Sequence, residues 1–123
     1  MQQIKSLGSA KIISLNKEIA LKEIKKVAEK IKEEEKENIL DIIIFGSIAK
    51  NNYTGTSDVD IAIILKESEL SFIERIVKYR KYFDLDIGVD LFVYTFSEFE
   101  KMKRENNFFV KEIIDYGISV LKQ

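Results

Sequence analysis

The chain has 123 residues, which suits one domain, and 20 Lys+Arg against 21 Asp+Glu leave a formal net charge of −1, so no global basic field draws nucleic acid. Hydrophobic residues at 46% and charged residues at 33% give a globular rather than a disordered balance. His, Cys, Pro and Trp are all absent, which excludes an imidazole base, a thiol nucleophile, a zinc finger and a disulfide frame; a metal would have to bind carboxylate oxygens, which favour hard ions such as Mg²⁺ or Mn²⁺.

In chain order, residues 1–15 are ambiguous, with Ile12-Ile13 fitting either a short strand or a docked N-terminal arm. From Lys17 to about Glu37 the apolar positions Ala20, Ile24, Val27, Ala28 and Ile31 recur at helical spacing, and the run Glu33 to Glu37 reads as a solvated helix end. Ile39 to Phe45 is rich in β-branched residues and ends at Gly46, which predicts a buried strand. Residues 47–56 read as a short helical turn and a polar loop, and Asp58 to Leu65 as a second strand. Ser71 and Glu74 fit a capping box, with Ser68 as an alternative cap, for a helix running to about Phe83. Its stripe of Ile73, Ile76, Val77 and Phe83 predicts a buried face, with Arg75, Lys78, Tyr79, Arg80, Lys81 and Tyr82 on a solvated one.

Ile87 to Tyr94 predicts a third strand. Thr95 and Glu98 fit a second capping box, opening a helix through about Arg104. A last helix near Phe108 to Tyr116 ends at Gly117, a C′ candidate, and Ile118 to Leu121 offers a short edge strand. Phe92, Phe96, Phe99, Phe108 and Phe109 read as core. The order describes an α/β (α+β) domain, a small mixed sheet flanked by helices, spanning 1–123. No apolar stretch reaches about 18 residues and no signal-peptide pattern opens the chain, so no membrane contact is expected and a cytoplasmic location is.

The chemistry concentrates at two stretches and one isolated acid. Asp58 and Asp60 alternate along a strand and so point to one side, where a divalent cation would relieve their repulsion. Gly46 ends a buried strand and lets the backbone approach a ligand; the Ser47 hydroxyl and the amides of the next turn would cradle phosphate, aided by a helix dipole, within reach of Lys50. No Walker A loop is present. Asp90 interrupts an apolar strand, a costly place for a charge unless paired or metal-bound. Asp84 and Asp86 compete for that role but fall in the preceding loop.

Gly-Ser followed, after ten intervening residues, by Asp-x-Asp, with a lone Asp in the next strand, resembles the DNA polymerase beta-like nucleotidyltransferase superfamily, and most closely its minimal nucleotidyltransferases. The resemblance runs from the first helix to Gly117-Ile118. It implies the nucleotidyltransferase fold, ATP as substrate held at Gly46, Ser47 and Lys50, and two Mg²⁺ ions on Asp58, Asp60 and Asp90, the last also helping to deprotonate the acceptor. The family often has Arg-Gly where this chain has Lys50-Asn51, which keeps the charge but loses bidentate phosphate recognition. Such proteins commonly partner HEPN ribonuclease toxins and silence them by transferring AMP to a tyrosine, which implies an antitoxin. The alternatives are a non-catalytic module that neutralises its partner by binding, and a homodimer that nucleotidylates a small molecule.

Overall fold

Backbone alternation and capping chemistry organise the chain much as the pattern predicts. The computed structural model describes residues 3–7, 10–14 and 16–121. The strand option holds for Ile12-Ile13: β1 (Gln3–Leu7) and β2 (Ala10–Ser14) pair antiparallel as a separate two-stranded sheet. Asn16 then caps α1 (Lys17–Glu34), its side chain accepting from the Ile19 amide at 3.2 Å. The helix stops before the predicted Glu37, because consecutive glutamates at its C-terminus oppose the helix dipole and Lys36–Asn38 turn the chain into the sheet.

Four strands follow in the spatial order β5-β4-β3-β6: β3 (Ile39–Phe45), β4 (Val59–Leu65), β5 (Val89–Thr95) and the two-residue edge strand β6 (Ile118–Ser119). β3 is antiparallel to both β4 and β6, whereas β4 and β5 are parallel and joined through α2 (Phe72–Arg80). Every β4 residue except Asp60 is buried, because this strand is covered on both faces. On one face Ile24, Val27, Ala28 and Ile31 of α1 pack with Ile42, Ile44, Ile61, Ile63 and Val93. On the other, Phe45, Ala62, Ile64 and Tyr94 meet Phe99 and Met102 of α3 (Phe96–Arg104) and Ile113 of α4 (Phe108–Tyr116). Both predicted capping boxes form, Ser71 with Glu74 and Thr95 with Glu98. Among the described residues no helix is long and apolar enough to cross a membrane.

Four expectations are corrected. Gly117 caps α4 in an extended conformation (φ −61°), not a left-handed one. Phe96, Phe108 and Phe109 are exposed rather than core, since α3 and α4 are short and α4 turns Val110 and Ile113 inward instead. In α2, Ile73 and Val77 face solvent while Arg75 and Tyr79 are buried. Polar partners explain that rotation. Arg75 donates to the carbonyls of Leu70 (3.0 Å) and Val93 (2.8 Å) and grips Glu98 through both terminal nitrogens (2.7 and 2.8 Å). The glutamate run is also more than a solvated end: Glu35 pairs with Lys78 at 2.6 Å and accepts from Tyr79 at 3.3 Å, and Glu34 accepts from Tyr82 at 3.0 Å.

Arg75→Met is expected to cost about 2 kcal/mol, less than a fully buried pair would, because Glu98 is partly exposed. Hydrogen bonding to the Arg75 guanidinium is the main cause of a lowered Glu98 pKa, so this stabilisation is present above the ordinary carboxylate range and lost as pH falls below it. Urea denaturation checks this: the deficit of the variant should shrink on acidification, and a pH-independent deficit would contradict the ion-pair account.

Candidate active site

β3 hands the chain to a tight turn at Gly46, whose φ of +77° is a left-handed conformation that favours glycine. Residues 47–51 form one hydrogen-bonded turn, Lys50 N to Gly46 O at 3.2 Å and Asn52 N to Ser47 O at 3.0 Å, not a helix. The expected helix dipole is therefore reduced to the amides of a single turn. Buried Ile48 anchors this turn to the core, and Lys17 of α1 braces it from outside, its Nζ donating to Asn51 Oδ1 at 2.7 Å.

The acids come next. Asp58 lies just before β4 rather than within it, exposed, with Val59 N bonded to Gly88 O at 2.9 Å. Asp60 is the second residue of β4 and Asp90 the second of β5, and the parallel register sets them directly side by side. The same Asp60 pairs across the other ladder with Phe45 at the end of β3, one residue before Gly46. Laterally paired residues share a face, so Asp60 and Asp90 project to the side covered by α3 and α4. Asp90 proves exposed at a strand head, not a buried mid-strand charge as its sequence context suggests; the desolvated acid is Asp60. Burial first, then repulsion from Asp90 and Asp58, raises the Asp60 pKa from 3.8 to about 6. Asp84 and Asp86 are exposed in the loop before β5.

Two glycines make room for these carboxylates. A Cβ at position 46 would lie 2.0 Å from Asp60 Oδ2, and one at position 88 would lie 2.0 Å from Asp58 Oδ1. Gly88 escaped the sequence reading; its only signal is a glycine at the head of an apolar strand. Lys50 is placed differently from expectation. Its Nζ is 3.2 Å from Glu112 Oε2 on α4 and 5.5 Å from the centre of the Tyr116 ring, so it is engaged by the helix. Nothing local in the sequence marks Glu112 or Tyr116, 62 and more residues away.

The donor set is suited to a hard cation. Among the described residues none of the three aspartates forms an ion pair with Lys or Arg, and they repel one another at Asp60. No three Asp or Glu side chains among the described residues form a ready-made metal cluster. A cation here would therefore rest on one or two carboxylates at a time, completed by water and substrate phosphates.

Residues 24–120, well over half of the chain, match the family model described as a nucleotidyltransferase domain. Among solved structures, a candidate nucleotidyltransferase from Sulfolobus solfataricus is similar in fold, with a TM-score of 0.58 at 22% identity over 93% of this chain and 90% of that one. No curated protein matches the chain significantly. The four-stranded mixed sheet with flanking helices is the nucleotidyltransferase fold, and the chain belongs to the nucleotidyltransferase-domain family.

Proposed function

We propose that this protein transfers AMP from ATP to a hydroxyl group, with Asp58, Asp60 and Asp90 holding Mg²⁺ and the turn at Gly46, Ser47 and Lys50 receiving the triphosphate. The observation that carries this reading is the register that aligns Asp60 with Asp90 on one side and with the end of β3, beside Gly46, on the other. Anionic side chains and the amides of a turn thus meet at one end of the sheet, as a phosphate chain bearing a cation requires. When bound, the cation would neutralise charge on the phosphate oxygens and lower the pKa of a coordinated hydroxyl.

The residues of the chain have separate tasks in this scheme. The amides after Gly46 orient the β- and γ-phosphates, so that the bond from the α-phosphorus to the leaving pyrophosphate lies opposite the acceptor. Asp90, exposed on the outer strand β5, accepts the proton as the acceptor oxygen bonds to the α-phosphorus and pyrophosphate leaves. The acceptor we propose is a tyrosine of a HEPN-type helical partner, making this protein the cytoplasmic antitoxin of a two-component module. This finer reading rests on the resemblance of the Gly46, Ser47, Asp58, Asp60 and Asp90 set to minimal nucleotidyltransferases.

Incubation with Mg²⁺, α-labelled ATP and a HEPN-type protein encoded by a neighbouring gene tests the proposal, and the lack of any such gene would count against it. Label should appear on the partner with the wild-type chain and fall on the order of a thousandfold with Asp58→Ala. Label on a small molecule instead would assign a small-molecule acceptor. Partner neutralisation that survives Asp58→Ala without label would identify a binding module.

A further inference from the structure

The edge strand β6 does more than close the sheet. Ile118 pairs with Ile44, next to the end of β3, so the last turns of α4 are delivered to the same end as the Gly46 turn and the aspartates. There Glu112 reaches Lys50, with Oε2 at 3.2 Å and Oε1 at 3.4 Å from Nζ. Glu112 Oε2 is sealed from solvent and accepts no hydrogen bond among the described residues, so this ion pair is its polar contact. The Tyr116 ring, one turn on, holds the same ammonium at 5.5 Å.

Lys50 is thus the charge that a triphosphate at Ser47 would meet, and it already has a partner. Removing that partner's cation would leave a carboxylate oxygen buried and unsatisfied, an unfavourable state. A ligand must therefore offer Lys50 a strong anion in exchange. Polyphosphate oxygens do so, whereas a nucleoside offers none and a monophosphate has no β- or γ-phosphate to present.

We infer that Glu112 and Lys50 form a latch on the phosphate cradle: a nucleoside polyphosphate enters by replacing Glu112 with its own phosphate as the partner of Lys50. Glu112 is in this sense a positioning residue that acts through Lys50 and sets the affinity for the polyphosphate. The inference rests on the proposed reading of the Gly46 to Lys50 turn as a triphosphate cradle.

Calorimetric titration of the full chain with Mg²⁺ and the α,β-methylene analogue of ATP, which cannot release pyrophosphate, tests it. Glu112→Gln should tighten binding about fivefold, and Lys50→Met should weaken it about tenfold. In the Lys50→Met background, Glu112→Gln should change affinity less than twofold, since the latch has already lost its cation. An equal gain in both backgrounds would mean simple charge repulsion and would overturn the latch. Weaker binding by a folded Glu112→Gln variant would also overturn it, by showing that Glu112 holds Lys50 in its binding pose. Should that variant not fold, Glu112→Asp, which keeps the charge with a shorter reach, should tighten binding to a smaller degree, and no change would count against the latch. Failure of the wild type and every variant to bind the analogue would instead reject the cradle itself.

Discussion

Asp60→Asn is expected to lower nucleotidyl transfer on the order of a thousandfold while making the cation-free protein more stable at pH 7. Burial and the neighbouring Asp90 and Asp58 raise the Asp60 pKa from 3.8 to about 6. A carboxyl so raised holds its proton more tightly in the folded chain than in the unfolded one. Its favourable contribution is complete in acid, below 3.8, and is lost as pH climbs through about 6, where the charged form strains the fold. Asparagine keeps the shape and removes the charge, so the gain at neutral pH should be roughly 1 kcal/mol, well under the full value of the shift because Asp60 keeps some contact with water.

Thermal melts in a chelating buffer provide the measurement. Wild type and variant should converge near pH 4 and separate as pH approaches 7, with the variant higher. Added Mg²⁺ should then raise the melting temperature of the wild type and leave the variant unmoved. A variant less stable than wild type at pH 7 in chelator would show that Asp60 is favourably paired, contrary to the geometry.

Gly46→Ala should have the other large effect, on stability and activity together. The position has a φ of +77°, which costs an alanine about 1–2 kcal/mol, and its new methyl would sit 2.0 Å from Asp60 Oδ2 and 3.0 Å from Cγ. The carboxylate cannot stay where it is. We expect about 2 kcal/mol of destabilisation in urea and, on the proposed role of Asp60, at least a hundredfold loss of transfer, because a displaced carboxylate is nearly as damaging as a missing one. Gly88→Ala separates the two causes. Its methyl would crowd Asp58 Oδ1 at 2.0 Å without a left-handed backbone, so activity should fall while stability falls less. Full activity in Gly46→Ala would rule out this placement of Asp60.

How far the sequence was legible follows from the range of each interaction. Strands β3, β4 and β5 and both capping boxes are written in local apolar runs and in residues three apart, and they appear nearly where the pattern puts them. The spacing of Asp58 and Asp60 pointed to the head of β4, whereas the position of Asp90 beside Asp60 depends on the parallel register, which no local pattern reveals. The face of α2 was not readable. Ile73 and Val77 suggest a buried stripe, yet Arg75 is buried in their place because Glu98, 23 residues on, and two carbonyls satisfy it. Lys50 likewise gave no hint of Glu112, since an ion pair across 62 residues has no local period. Phe108 and Phe109 were misread for a related reason: aromatic residues at a helix start look like core until the packed side of α4 is known to be Val110 and Ile113.

The parallel pairing of β4 with β5 also orders the birth of the site in time. The Gly46 turn, Asp58 and Asp60 belong to an antiparallel pair joined by residues 46–58, a shorter closure than the crossover to β5, so this pair can form earlier. Asp90 is brought in only after the crossover through α2, thirty residues beyond its neighbour, and the Ile43–Ser119 contact of β6 spans more than seventy. During synthesis the chain therefore carries Asp58, Asp60 and the Gly46 turn before it carries Asp90. The Lys50–Glu112 contact, made by α4 and held by β6, is contributed by the last part of the chain, so a nascent chain lacks both this ion pair and Asp90 at the same moment.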